Sequence, residues 1–344
     1  MRRRSATNDE VQDATTAGAW LHVLIRALAA GGHDGQRMAI AAGISPRSLR
    51  HPDQRVPQIA MTRLWKAAVE ATENPCFGLE VARFVTGSTF GALTHVAFVS
   101  PTLEDAFHRI VRFQRLMTDA MTLELIRAKD RYRLQILPIA PDHPPAEELD
   151  AFLATWVRVT RALAPDERYV EPLRIHRRRP RPRGVAVFER VFRAPMRFGA
   201  AQDFVEYDYA DCQKPLSDAN LELAEEYDQI LARQITSLGG ATVTEKVRAL
   251  LFEIMADGPA EATVAKRLSM STSLLKLSLA RESTTYRAIL EEVRQTLARR
   301  YLREMSYSIK ETAFLLGYSD ASTFTRAFKS WTGETPRDYA QKVG

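Results

Sequence analysis

The 344-residue chain has few of the features that mark secreted, membrane-spanning or metal-binding proteins. Its two cysteines, Cys76 and Cys212, lie far apart and form no C-x-x-C pattern, which argues against a disulfide framework or a zinc site. No apolar stretch of the kind found in a secretory signal follows the first five residues. The uncharged stretch of residues 90–103 is too short to cross a bilayer and contains Pro101. The sequence therefore predicts a cytoplasmic protein without membrane association.

Catalytic and cofactor signatures are also absent. The chain contains no G-x-S-x-G, H-E-x-x-H, P-loop or G-x-G-x-x-G pattern. We therefore expect no catalytic residues, no metal and no cofactor. The apolar fraction of 45% still provides for a sizeable core, and the length suits two or three domains.

The small positive charge lies mostly in the C-terminal third. Residues 241–344 contain 16 Lys and Arg against 12 Asp and Glu, whereas the rest of the chain contains 32 against 30. A net charge of +6 with its excess in the shorter part agrees with a phosphate-binding surface there, although charge alone is thin support.

Residues 308–339 contain a helix-turn-helix pattern. Ser308 and Glu311 form a capping box, and Gly317 lies where the chain passes from one helix to the next and needs a residue that tolerates positive φ. Ser319 or Asp320 can cap the second helix. Apolar residues mark the buried faces of both helices: Ile309, Ala313, Leu316, Phe324 and Phe328.

The opposite face of the second helix carries polar and basic side chains of the kind that contact base edges and phosphates. We expect DNA contacts from Ala321, Ser322, Thr323, Thr325, Arg326 and Lys329. A helical hairpin with no nucleic-acid role is the alternative.

This stretch resembles the DNA-binding domain of the AraC/XylS family of bacterial transcription regulators. The residues that carry the resemblance are Ile309, Ala313, Leu316, Gly317, Tyr318, Ser319, Asp320, Ser322, Phe324, Arg326, Ala327, Phe328, Lys329, Trp331, Gly333, Pro336 and Tyr339. The resemblance implies double-stranded DNA as a partner, RNA polymerase as another, and a second helix-turn-helix unit.

A degraded copy of the unit lies about 48 residues upstream, where residues 264–271 align with residues 312–319. Ser269 replaces the family's turn glycine, and Leu277 and Ser278 replace its paired arginines. We expect weaker DNA contacts here, from Ser273, Lys276 and Leu277. Leu277 either touches a thymine methyl or belongs to the core, and the sequence leaves both readings open.

A long amphipathic helix over residues 286–305 is predicted between the two units, with apolar residues at every fourth position. Twenty helical residues span about 30 Å, close to the 34 Å repeat of the major groove on one DNA face. One chain could thus place two recognition helices in adjacent grooves.

The N-terminal part predicts an α+β domain over residues 18–216, after a disordered tail over residues 1–17. Its strands include a hairpin of residues 121–126 and 132–137, with Lys129-Asp130 as the turn. The basic run over residues 177–183 is interpreted as a solvated loop, and the alternative is an anion or DNA-backbone contact. The predicted fold is thus an α+β domain followed by an all-α domain with two helix-turn-helix units joined by a long helix.

Three stretches of this domain, namely residues 65–82, residues 99–116 and the run from Phe198 through Phe204 to Pro215-Leu216, resemble the N-terminal effector domain of one AraC subgroup, although more loosely than the C-terminal match. The resemblance covers roughly residues 20–235 and implies a small-molecule effector. The sequence does not assign effector-binding residues. Candidates to line a pocket, each of which could equally be plain core or surface, are Trp65, Phe90, Phe98, Arg109, Trp156 and His176.

Residues 217–240 predict a helix, capped by Ser217 or Asp218, and a linker to the DNA-binding domain over residues 241–344. The family resemblance implies that this helix pairs two protomers in a homodimer. The alternative is that its apolar face packs on its own domain.

The sequence therefore predicts a sequence-specific DNA-binding regulator controlled by a small-molecule effector. Two other hypotheses stay open at this point. One is a regulator that needs no effector, and the other is an enzyme fused to a DNA-binding module.

Overall fold

The computed structural model describes residues 14–51, 53–128, 130–139, 144–164, 170–238, 242–282, 284–303 and 307–343. The chain forms two compact units that divide between Gln234 and Ile235. Within these ranges, no helix combines the length and the apolar character that a membrane span requires.

The N-terminal unit mixes helices and strands. In chain order its elements are β1 (Thr15–Ala17), α1 (Gly18–Ala30), α2 (Gly35–Ala41), α3 (Pro46–Arg50), β2 (Arg55–Pro57), α4 (Gln58–Thr72), α5 (Phe77–Val81), α6 (Ala92–Phe98), α7 (Leu103–Arg112), β3 (Met121–Arg127), β4 (Arg131–Pro138), α8 (Ala146–Leu163), β5 (Arg174–His176), α9 (Val185–Phe192), β6 (Met196–Arg197), β7 (Asp203–Asp208), α10 (Tyr209–Cys212) and α11 (Leu221–Ser237).

The larger sheet has the strand order β3-β4-β7-β5-β6, and its neighbours are antiparallel except for the β5–β6 pair. The predicted hairpin is confirmed as β3 and β4, with Met121 opposite Pro138 and Arg127 opposite Tyr132. Lys129 of the predicted turn lies outside the described residues. β1 and β2 form a separate two-stranded ribbon.

Helix α8 stands between the two apolar cores of this unit. One core lies against the larger sheet, and the other is formed by the helices around α1 and α4. Gly78 of α5 allows the close approach to α8, since a Cβ at this position would collide with the backbone carbonyl of Glu147. Ala151 of α8 belongs to the helical core, whereas Phe152 and Trp156 belong to the sheet core.

The predicted disordered tail over residues 1–17 is too long. Thr15–Ala17 form strand β1, and the hydroxyl of Thr16 is buried, where it donates to Gln58 and lies 2.8 Å from the hydroxyl of Thr118. The segment is polar, so its composition resembles a tail, but its partners lie 42 and 102 residues away. Residues 1–13 lie outside the described residues.

In the basic run of residues 177–183, Arg177 and Arg179 are neither solvated nor free to contact DNA. The guanidinium of Arg177 is buried and pairs with Asp150, at 2.8 Å, and with Asp203. Arg179 pairs with Asp150 and with Glu147. These ion pairs neutralise both guanidinium groups inside the domain, because a buried ion needs a partner of opposite charge.

Helix α11 packs on its own domain over its first three turns, which bears out the second of the two readings for that stretch. Asn220, not Ser217 or Asp218, caps it and accepts from the backbone N–H of Leu223 at 3.0 Å. Asp228 pairs with Arg109 at 3.3 Å, and the ring of Tyr227 stacks on His95 with centroids 5.9 Å apart. Residues 239–241 of the predicted linker lie outside the described residues.

The C-terminal unit is helical in its described residues. Apart from the end of α11, its elements are α12 (Val243–Ile254), α13 (Glu261–Arg267), α14 (Thr272–Arg281), α15 (Tyr286–Arg303), α16 (Ile309–Leu315), α17 (Ala321–Thr332) and α18 (Pro336–Val343).

Helix α15 is the predicted helix between the two helix-turn-helix units, α13–α14 and α16–α17. Ile289, Val293, Leu297 and Leu302 are buried in one core that both units share. Residues 304–305 of the predicted helix lie outside the described residues. The 18 residues of α15 span about 27 Å.

The two turns adopt the same left-handed conformation with different residues. Gly317 has φ 71°, and Ser269 has φ 57°, where a side chain is strained. A Cβ at Gly317 would lie 3.3 Å from the Cα of Gly258 and 3.4 Å from the guanidinium of Arg294. The second turn therefore needs glycine for two reasons, whereas the first tolerates serine at a cost.

A buried carboxyl group lies at the start of α8. Glu148 is 5% exposed, and its Oε2 accepts one hydrogen bond, at 2.9 Å, from Nε2 of Gln58 in α4. Burial raises the pKa of Glu148 to about 8, against an ordinary value of 4.5. The group is therefore mostly protonated and neutral at pH 7.

The turn geometry predicts opposite effects for a reciprocal swap. Ser269→Gly should raise the free energy of unfolding of the C-terminal unit by about 0.5–1 kcal/mol, because relief of strain exceeds the entropy of the added glycine. Gly317→Ser should lower it by about 1–3 kcal/mol through positive φ and crowding against Gly258. Urea unfolding of the full chain, read on this unit, measures both changes. Equal and small effects of the two substitutions would contradict the assignment.

The buried acid predicts a pH-dependent stability. Between pH 4.5 and about 8 the folded state holds one proton more than the unfolded state, so the free energy of unfolding falls as pH rises. The slope is about 1.4 kcal/mol per pH unit. Glu148→Gln keeps an acceptor for Gln58 without a titrating proton, so at pH 8 the variant should be more stable than the parent by about 2–4 kcal/mol. Urea titrations across this range check the slope, with the exposed Glu189→Gln as the control. Parallel curves for the parent and Glu148→Gln would contradict the prediction.

Candidate DNA-binding surface and effector pocket

Each of the two helices of the second helix-turn-helix unit begins at a capping residue. Ser308 and Glu311 form the predicted capping box at the start of α16, with 2.7 Å from the Ser308 N–H to the Glu311 carboxylate. Asp320 caps α17 and accepts from the backbone N–H of Thr323 at 2.8 Å. Asp320 accepts hydrogen bonds from both the backbone N–H and the hydroxyl of Thr323, and these lower the pKa of its carboxyl group, so the cap stays ionised at neutral pH.

Helix α17 presents a polar face opposite its buried aromatic residues. Phe324 and Phe328 are fully buried in the shared core, whereas Ser322, Arg326 and Lys329 are exposed. In the described part of the chain, neither Arg326 nor Lys329 pairs with a carboxylate. These two cations therefore remain available for an anionic partner.

The other predicted contact residues of α17 are only half-exposed. Ala321, Thr323 and Thr325 lie beside the exposed stripe. The hydroxyl of Thr323 donates to Asp320 at 2.9 Å, and that of Thr325 donates to the carbonyl of Ala321 at 2.7 Å. Each hydroxyl can still accept a hydrogen bond, but its proton is engaged.

The first unit presents a more apolar surface. Leu277 is 51% exposed and Leu274 is 47% exposed, so the reading of Leu277 as extra core is wrong. Ser273 is exposed, and Lys276 pairs with Glu261 of α13 at 3.5 Å. Helix α14 therefore offers a DNA partner apolar contact and the ammonium group of Lys276, which is partly neutralised.

Arg294 of α15 fastens the second turn to the long helix. Its Nε donates to the carbonyl of Leu316 at 2.9 Å, and a terminal nitrogen donates to the carbonyl of Gly317 at 3.3 Å. Its guanidinium also lies 4.6 Å from the centre of the Tyr318 ring. The sequence gives no sign of this role, because an arginine inside a polar helix face carries no local signal of its distant partner.

The same long helix also holds the far end of α17 and the entry to the first unit. The indole Nε1 of Trp331 donates to Glu291 at 2.9 Å. The hydroxyl of Tyr286 donates to the carbonyl of Pro259 at 2.8 Å, next to Gly258. Helix α15 thus has polar contacts to both units in addition to their shared core.

The N-terminal unit contains a pocket between its two cores. It encloses about 840 Å³, counted with its open mouth. One wall is the face of α8 that carries Glu148, Phe152, Trp156 and Val159, and the opposite walls come from β1, α1, α6, α7 and the segment that leads into β3.

Two of the six candidate pocket residues line this pocket, namely Phe90 and Trp156. Trp65 is fully buried in the helical core, and Arg109 pairs with Asp228 of α11. Phe98 packs against the sheet core, and His176 stacks on Phe204 with centroids 4.3 Å apart. Glu148 lines the pocket and was missed, since an acid inside the charged first turn of a helix is ordinarily exposed.

Two family models match the chain. A model described as the arabinose-binding domain of AraC transcription regulators, N-terminal, matches residues 32–216, and a helix-turn-helix domain model matches residues 264–342. Relatives are similar over most of their length. The ornithine utilization regulator of Pseudomonas aeruginosa is 26% identical over 327 residues, which cover 94% of this chain and 95% of that protein. The HTH-type transcriptional regulator VirS of Mycobacterium tuberculosis is 26% identical over 301 residues, which cover 86% of this chain and 87% of that protein.

Among solved structures, the transcriptional regulator CdpR of Pseudomonas aeruginosa is similar, with 25% sequence identity, a TM-score of 0.47 and coverage of 94% of this chain and 98% of that one. The first family model alone covers more than half of the chain, and the second coincides with the two helix-turn-helix units described above. The chain therefore belongs to the AraC family of transcription regulators, with an arabinose-binding-like N-terminal domain and a C-terminal helix-turn-helix DNA-binding domain.

Proposed function

We propose that the protein is a sequence-specific regulator in which a small molecule bound in the N-terminal pocket changes DNA binding by the C-terminal unit. The observation that carries the DNA half is the exposed stripe of Ser322, Arg326 and Lys329, with two cations that no carboxylate in the described chain neutralises. Exposed donors beside a buried aromatic face are what a helix in the major groove requires.

The two units are proposed to contribute unequally. Helix α17 offers two cations without a carboxylate partner among the described residues, together with hydroxyl oxygens that can accept hydrogen bonds. Helix α14 offers Leu277 and a lysine that Glu261 partly neutralises. Base discrimination by hydrogen bonds therefore belongs mainly to α17, and α14 adds contact with thymine methyl groups. The 27 Å length of α15 supports placement of both helices in adjacent major grooves.

Helix α11 supports a role in communication between the N-terminal pocket and DNA binding. It makes contacts with α6 and α7, through His95 and Arg109, and both of these helices also line the pocket. Its chain continues into the C-terminal unit. A ligand that shifts α6 or α7 would also shift α11. An effector needs such a difference in contacts between the bound and the free state.

We also propose that two protomers pair through the rest of α11, that the protein contacts RNA polymerase, and that it acts in the cytoplasm.

An enzyme fused to a DNA-binding module is the second hypothesis, and no observation favours it. The relatives named above are transcription regulators. Within the described residues, no group of His, Cys, Asp and Glu has the arrangement of a metal site. We propose that the protein is not an enzyme.

Arg326→Ala should weaken specific binding of the full-length protein to its target DNA by about 1–3 kcal/mol if the guanidinium reads a base edge. If it contacts phosphate, the loss should be similar for all sequences, and the dependence of affinity on salt should become less steep. Gel-shift titrations at several salt concentrations, on DNA from upstream of the gene and on unrelated DNA, separate the two cases.

The control for this variant is Arg190→Ala, which removes an equal charge from an exposed position on the N-terminal unit. Unchanged affinity and salt dependence in Arg326→Ala would remove this residue from the DNA-binding surface.

The proposed control by an effector is tested by adding, to the same titrations, metabolites of the pathways that the neighbouring genes encode. An affinity that no metabolite changes would favour the regulator that needs no effector.

A further inference from the structure

The pocket wall is apolar along nearly its whole length. The side chains that make up most of it are Trp20, Leu93, Ile110, Phe152, Val159 and Leu163. None of its lining residues is a lysine, an arginine or a histidine. A ligand carboxylate or phosphate would therefore be buried without a cation, which is costly.

Three hydroxyl groups at the wall, those of Thr16, Thr118 and Thr160, already have partners inside the protein. The hydroxyl of Thr16 donates to the side-chain carbonyl of Gln58 and contacts the hydroxyl of Thr118, and Thr160 donates to the carbonyl of Trp156 at 3.0 Å. A pentose carries a hydroxyl group on nearly every carbon, and each would lose hydrogen bonds to water on entry. Besides Glu148, the described residues leave the hydroxyl of Thr155 and the indole N–H of Trp156 as buried polar groups of this wall without a partner, and these are too few to replace the lost hydrogen bonds.

The pocket lining extends along most of α8, and its acid lies near the N-terminal end of that helix. Its lining residues on α8 run from Glu148 to Leu163, about 22 Å along the helix. Glu148 has a single hydrogen bond among the described residues, from Gln58, which leaves its other oxygen for a ligand. Because this carboxyl is mostly neutral at pH 7, it can donate a hydrogen bond.

We propose that the effector is an elongated, mainly apolar molecule with one uncharged oxygen head group that hydrogen-bonds to Glu148, and that the pocket takes neither a sugar nor a free amino acid. This inference rests on the proposed function, since it gives the chemical class of the effector. It departs from the sugar in the family model's description and from the amino acid in the name of the Pseudomonas relative.

The test is thermal unfolding of the full-length protein with the primary alcohols hexanol, octanol and decanol, with octanoate, and with L-arabinose and L-ornithine. The alcohols should raise the Tm by a few degrees, with an effect that grows with chain length, because a ligand of the folded state stabilises it. Octanoate should raise it less than octanol does. Arabinose and ornithine should leave it unchanged.

Two variants tie the effect to the pocket. Val159→Phe fills the wall of α8 and should abolish the rise with octanol, whereas Ile126→Phe, at an exposed position of β3 outside the pocket, should keep it. Glu148→Leu removes the partner of the head group and should reduce the rise. Circular dichroism of each variant confirms that it is folded.

A Tm raised by arabinose or ornithine, or left unchanged by all three alcohols, would overturn the proposal. So would a rise with octanol that persists in Val159→Phe. The same alcohols are added to gel shifts on the target DNA. Stabilisation by octanol without any change in DNA affinity would uphold the pocket assignment while contradicting effector control, so the two proposals fail separately.

Discussion

The attachment of two helix-turn-helix units to one helix, α15, is the constraint on which the DNA-binding surface depends. A shared apolar core holds both units against it, and Arg294 fixes the second turn through two backbone carbonyl groups. Gly317 and Gly258 approach so closely that a side chain on Gly317 would be crowded. The spacing of the two recognition helices is therefore set by packing within a single chain, so one molecule can present both.

The two units have diverged around this common frame. The second keeps the glycine turn, a complete capping box and cations without carboxylate partners. The first has serine in a strained turn and a leucine, half-exposed, on its recognition helix. Strain and apolar exposure both lower stability, so their presence at the same unit is consistent with a surface shaped for contact rather than for folding.

The sequence predicts the C-terminal unit closely because its signals are local. Capping boxes, the spacing of Phe324 and Phe328, and a turn glycine all act within a few residues of one another. In the N-terminal unit the decisive contacts are distant. Arg177 looks solvated beside six neighbours that include four more arginines, yet it meets Asp150 and Asp203, which lie 27 and 26 residues away. Thr16, Arg294 and Glu148 were misread or missed for the same reason, since a polar side chain does not reveal a remote partner.

The central claim is that one chain holds two recognition helices one turn of DNA apart. Hydroxyl-radical footprinting of the full-length protein on its target DNA tests this directly, with a Leu277→Ala, Lys276→Ala double variant and the Arg326→Ala variant beside it. The account predicts two protected segments about 10 base pairs apart on one face of the duplex, one lost in each variant. A single protected segment, or two on opposite faces, would contradict it.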